Sequence, residues 1–140
     1  MHLDRDEALR RATDADHGVL ATMNRTGTAD LVPACFAIVG DAVGVPVDSL
    51  KPKRSTALGR VRNLEHDPRA TLLVERWDAA DWSRLWWVRV SLVRRDFAPE
   101  QVSRLEQALR DRYPQYAATE FVAIVTFRID AISGWDGAGT

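Results

Sequence analysis

Apolar and polar residues alternate with a period of two along most of this chain and switch to a helical period in three places. The first strand-like run is residues 17–23, H-G-V-L-A-T-M, and Asn24-Arg25-Thr26-Gly27 supply turn chemistry before a second run at 29–39. Together they read as a hairpin. Pro33 removes one ladder donor from the second strand, which predicts an edge or a bulge at that point. Gly40-Asp41 turns the chain into a third strand at 42–47, so three strands joined by tight turns predict a meander. Further strands are predicted at 70–77, 84–94 and 121–129. In the fifth, Trp86, Val88, Val90 and Leu92 share a core face, while Trp87, Arg89, Ser91 and Val93 share the other. An aromatic, a cation and a hydroxyl on one face suit a site wall or a subunit interface better than bulk solvent.

The helical segments carry their own signals. Asp4 is placed as an N-cap with Glu7 as its reciprocal partner three residues on, followed by a thin stripe of Leu9 and Ala12. Ala57, Leu58, Val61 and Leu64 form one arc of a second helix, which Asp67-Pro68 stops. Pro99 and an acidic first turn open the third, where Val102, Leu105 and Leu109 make a buried stripe before Tyr113-Pro114. Six strands with alternating faces and tight links predict an antiparallel, mainly β domain that closes into a small barrel with helices over its ends. A ferredoxin-like open sheet is the competing arrangement.

Composition narrows the setting. At 140 residues, 46% of them apolar, the chain suits one domain, 1–140, around one core. Its only cysteine, Cys35, has no internal disulfide partner, which predicts a reducing, cytoplasmic compartment. The N-terminus is too charged for a signal peptide, and no apolar run approaches the ~18 residues of a membrane span. A net charge of −1 gives no global pull toward nucleic acid.

Against that near-neutral background, residues 46–63 stand out. Lys51, Lys53, Arg54, Arg60 and Arg62 crowd into P-V-D-S-L-K-P-K-R-S-T-A-L-G-R-V-R-N with only Asp48 as counter-charge. Pro52 biases Lys51 toward extended backbone and Ser55 or a neighbour can start a helix, so a strand ends and a helix begins here. Lys53 and Arg60 fall together on the border of the apolar arc, and Arg62 points away. An anion at this corner would meet the N–H groups of a helix start and two or three cationic heads. A solvated basic face is the alternative.

These runs, together with R-N-L-E-H-D-P-R-A-T-L-L-V at 62–74 and W-S-R-L-W-W-V-R-V at 82–90, resemble the pyridoxamine 5'-phosphate oxidase-like (PPOX class) FMN-binding split β-barrel family. More narrowly, the chain is similar to the actinobacterial branch that uses coenzyme F420, a deazaflavin. The resemblance spans nearly the whole chain. It implies a six-stranded antiparallel split barrel and a homodimer with two cofactor sites at the subunit interface. The phosphate-binding role carries over to Lys51, Lys53, Arg54, Ser55 and Arg60, where Arg60 replaces a lysine common among relatives and could bind in bidentate fashion. The stretches around Pro33, Cys35 and Phe36 and around Pro46, Val47 and Asp48 would line the ring system. Trp77, Trp87 and Arg89 are the candidates for a wall contributed across the dimer.

The implied activity is an oxidoreductase that moves hydride between F420 and a conjugated small-molecule substrate, with FMN as the alternative cofactor in an oxidase or flavin-binding protein. The cofactor does the difficult chemistry, and the protein supplies binding, orientation and dryness. No side chain stands out as a proton donor: His17, Tyr113, Cys35 and Asp48 each read as structural. There is no glycine-rich dinucleotide fingerprint, no P-loop and no metal-ligand spacing among the histidines and Cys35. A non-enzymatic anion or nucleic-acid binder is the remaining class, but the cations sit at one junction and are not interleaved with stacking aromatics.

Overall fold

A computed structural model of the chain describes residues 1–48, 56–118 and 121–138. It contains strands β1 (Gly18–Met23), β2 (Ala29–Ala34), β3 (Ala37–Val39), β4 (Ala42–Asp48), β5 (Arg69–Arg76), β6 (Trp86–Arg94) and β7 (Phe121–Asp136). The helices are α1 (Arg5–Asp14), α2 (Thr56–His66) and α3 (Pro99–Arg112), with short 3-10 turns at Trp82–Arg84 and Pro114–Tyr116. The strands form one sheet in the order β2-β1-β5-β6-β7-β4-β3, and every neighbouring pair is antiparallel.

The two edge strands of that sheet, β2 and β3, are separated in the chain by Cys35 and Phe36 alone. Two residues span only about 7 Å. The sheet must therefore curl until its edges meet, which makes it the split barrel that the sequence predicted. The continuous second strand at 29–39 and the simple meander are corrected here. That strand is two, each pairing at an opposite edge, so the predicted six strands become seven. The break was hidden because the period of two runs straight through it: Ala34, Phe36 and Ile38 all point inward. Pro33 lies on an edge strand opposite Val19, where its missing donor costs no ladder bond.

The last strand also differs from expectation, running to Asp136 and not ending at Ile129. Ser91 pairs with Ala131 but Leu92 pairs with Ile129, so Asp130 is an extra residue in a bulge. Beyond it the inward set changes from odd numbers (Val125, Phe127, Ile129) to even ones (Ile132, Gly134), which interrupts the alternation that a strand prediction relies on. β6 is shorter than predicted, because Trp82–Arg84 form a 3-10 turn.

Inside the curl, Leu20, Phe36, Val43, Val45, Leu72, Val74, Val88, Val90, Leu92 and Phe127 are fully buried in one cluster. α1 seals one end through Ala8 and Ala12, small enough to let the helix sit close to the strands. Asp4 caps it as predicted, its carboxylate accepting the Glu7 N–H at 2.9 Å. Glu7 does not return the bond, a further correction. It pairs with Arg10 and with Arg11, and Arg11 continues to Asp136 at 2.8 Å. Two adjacent guanidiniums outcompete a backbone N–H for one carboxylate. α3 packs Leu105 and Leu109 against β3 and β4.

Candidate functional site

The corner that the sequence singled out begins where β4 loses a neighbour. Between Ala42 and Gly44 this strand is held by β3 on one side and β7 on the other. Beyond Gly44, among the described strands, only β7 remains, and Pro46 sits in this one-sided stretch. A proline inside a two-sided strand would leave a partner carbonyl unmet; here it does not. The register with β7 shifts between Val47 and Asp48, which pairs with Phe121. Pro46 is buried and Val47 is half-buried.

α2 delivers Arg60 to this strand edge. Its guanidinium Nη2 donates to the Pro46 carbonyl at 3.4 Å, and the residue is only 5% exposed. The sequence had placed Arg60 on the border of the apolar arc; the structure turns it inward, while Arg62 is exposed as expected. A guanidinium held this deep suits a planar, anionic or carbonyl-rich partner better than bulk water does. Lys51, Lys53, Arg54 and Ser55 lie outside the described residues.

Cys35 joins the same neighbourhood from the barrel's seam. It packs in a small cluster with Ala37, Leu109, Tyr113, Tyr116, Phe121 and Ile124. Ile124 and Phe121 are the β7 partners of Pro46 and Asp48, so the seam and the end of β4 are two sides of one region. The structure thus brings Arg60 to the 46–48 segment, while Cys35 packs in the cluster that also takes up Phe121 and Ile124, the β7 partners of that segment. Pro33 lies two residues before Cys35 and is exposed.

Trp77, Trp87 and Arg89 are not part of that region within one chain. They line a largely apolar shelf of about 330 Å³ on the outer face of the sheet with Leu73, Glu75, Leu85 and Trp86. Arg89 lies over the Trp87 ring at 5.2 Å. Three strand-to-strand steps, Arg89 to Leu73 to Val19 to Pro33, separate the shelf from the seam, or about 14 Å at the usual strand spacing. A larger and more polar groove of about 730 Å³ lies between α1 and the β5–β6 turn, lined by both arginines and carboxylates.

Two residues that matter to the corner were not singled out in the sequence as part of it. Asn63, 8% exposed, donates to Thr22 Oγ1 at 3.0 Å and to Asp30 Oδ2 at 2.9 Å, fastening α2 to the β1–β2 hairpin. A polar residue beside the apolar arc, between Arg60 and Leu64, was the available signal. Tyr113 hydrogen-bonds the backbone of Phe36 at the seam. Burial pushes its hydroxyl above the ordinary tyrosine value, although the Phe36 hydrogen bond pulls the other way, so the group stays protonated at neutral pH. Among the described residues no three His, Cys, Asp or Glu side chains gather in a metal-ligating group, and no helix is long and apolar enough to cross a membrane.

The fold places the chain among split-barrel proteins of known structure. It aligns with an FMN-binding protein from Syntrophomonas wolfei at a TM-score of 0.69 and 17% identity, covering 92% of this chain and 86% of that one. An F420 reductase matches with a TM-score of 0.57 and 21% identity over 88% of this chain and 93% of the other. A heme binding protein from Mycobacterium smegmatis gives 0.68 and 18% over 94% of this chain, which spans 57% of that longer one. No protein-family model and no curated protein sequence matches the chain. At such identities the shared property is the split-barrel fold, and that fold carries more than one kind of cofactor.

Proposed function

We propose that the chain is a homodimeric split-barrel oxidoreductase that binds coenzyme F420 and acts on a conjugated small-molecule substrate. The observation that carries this reading is the buried Arg60 guanidinium set against the one-sided, proline-bearing end of β4, at the entrance to the most basic stretch of the sequence. Arg60 with Lys51, Lys53, Arg54 and Ser55 would hold the cofactor phosphate, by charge-assisted hydrogen bonds and the start of α2. Backbone around Pro33 to Phe36 and Pro46 to Asp48 would face the ring system. Trp77, Trp87 and Arg89 of a second copy would close it, which gives the exposed shelf an occupant.

When bound, the deazaflavin supplies or accepts a hydride. The chain's own residues position it, exclude water and fix the approach of the substrate. FMN offers the corner the same phosphate and fused-ring chemistry, and the likeness to an FMN-binding protein keeps it as the second reading.

Titration with oxidised F420 and, separately, FMN tests both. Wild type is expected to bind the deazaflavin at micromolar concentrations and more tightly than FMN. Lys53→Ala combined with Arg60→Ala is expected to lose ~2 kcal/mol or more, about thirtyfold in Kd. Tighter binding of FMN would change the reaction class, and binding of neither would overturn the cofactor reading altogether.

A further inference from the structure

The barrel's seam has a backbone problem that α3 solves. Where the chain leaves β2 for β3, neither sheet edge continues, so among the described strands the Phe36 N–H and C=O have no partner. Phe36 is nevertheless fully buried, where an unmet backbone pair is costly. Tyr113, just past the end of α3, meets both groups. Its hydroxyl oxygen accepts the Phe36 N–H at 3.2 Å and its O–H donates to the Phe36 C=O at 3.3 Å. One hydroxyl thus replaces a strand partner.

The same aromatic runs on to the other side of the proposed site. Tyr113 meets Tyr116 edge-on at 5.6 Å between ring centres, and Tyr116 meets Phe121 edge-on at 5.1 Å. Phe121 is the β7 residue paired with Asp48 at the end of β4. Arg110, one turn before Tyr113 on α3, lies over the Phe121 ring at 5.0 Å. A single stack from α3 and the turn that follows it therefore reaches the seam at one end and the strand end at the other. These are the two backbone segments proposed to line the cofactor ring.

We infer that Tyr113 is a positioning residue for the cofactor site: its hydroxyl fixes the Cys35-Phe36 backbone, and its ring keys that segment to the end of β4 through Tyr116 and Phe121. This rests on the cofactor reading above. Tyr113 touches neither cofactor nor substrate in this account and acts through the backbone it holds. Its neutrality makes the device insensitive to pH across the physiological range, since only the protonated hydroxyl can donate to the carbonyl while accepting from the N–H.

Tyr113→Phe removes the hydroxyl and keeps the stack. Three readouts separate the possible results: exchange of the Phe36 amide, Kd for F420 and FMN, and the visible band of the bound cofactor. The variant is expected to melt somewhat below wild type yet remain folded at assay temperature, while Phe36 exchange accelerates and Kd rises about three- to tenfold, the range for losing one or two neutral hydrogen bonds. The bound band should shift in Tyr113→Phe, because the ring environment moves. Faster Phe36 exchange with unchanged Kd and band would overturn the inference and leave the cofactor reading standing. If wild type binds neither cofactor, both fall together, and that result is recognised before any variant is made.

Discussion

The two faces of β5 and β6 meet opposite circumstances: the inner one is apolar and enclosed, the outer one mixes apolar and charged side chains and lies open. On the inner face Leu72, Val74, Val88, Val90 and Leu92 are at most 1% exposed and fill the barrel. On the outer face Leu73 is 37% exposed, Trp77 is 62% exposed, and Trp87 lies on the shelf with Arg89 stacked on it. Trp82 adds a second open aromatic at the turn, edge-on to Trp77 at 6.2 Å. The inner face is satisfied by its own chain. The outer face carries an apolar patch, Leu73 with Trp77 and Trp87, that has no cover among the described residues, and on that ground we propose a second copy as its cover.

That contrast makes unequal demands on substitution. Leu92→Ala on the inner face is expected to destabilise the fold by about 2–5 kcal/mol, through lost burial and the cavity left behind. A chemical-denaturation midpoint checks it, and a loss below about 1 kcal/mol would mean that the barrel interior is looser than described. Leu73→Glu combined with Trp87→Glu on the outer face should leave the fold of one chain intact yet split the proposed dimer. Light scattering is expected to report a halved mass at micromolar concentration, with far-ultraviolet circular dichroism unchanged. A mass equal to that of wild type would place the subunit seam elsewhere.

The smallest effect lies in two surface ion-pair sites, one on α1 and one at the turn from α2 into β5. Glu7, bonded first to Arg10 and then to Arg11, is held down from 4.5 to about 2, and Asp67, bonded to Arg69, from 3.8 to about 2. Both groups are lowered in the folded state. Their contribution is therefore complete above the unfolded values and is lost as pH falls through about 4.5 toward 2. A melting temperature followed over that window should drop less steeply in Glu7→Gln than in wild type. Parallel curves would show that these exposed pairs contribute nothing measurable, as many such pairs do.

Much of this was legible in the sequence, for identifiable reasons. Period-two runs located six strands, and the cap at Asp4 and the proline at Pro99 located two helix starts. What escaped detection was whatever left the period undisturbed or broke it locally. The seam at Cys35 preserved the alternation of Ala34, Phe36 and Ile38 while the strand changed sheet edge. The bulge at Asp130 shifted the alternation while the strand continued. At the site, the charge of Arg60 was visible, but its inward turn depends on Pro46 and the end of β3, which are distant in the chain until the sheet curls. Tyr113 read as a helix terminator, because its partner is a backbone 77 residues away, and a backbone has no sequence signature.

The central claim is that the corner and the outer shelf are two halves of one cofactor site, completed only when two chains meet. Sedimentation velocity of the wild-type protein with stoichiometric F420, followed at the cofactor's own absorbance, tests it in one run. The account predicts that the cofactor moves as a single boundary with a particle of twice the 15.7 kDa chain mass. Cofactor travelling with a one-chain particle, or remaining behind while the protein sediments, would contradict it.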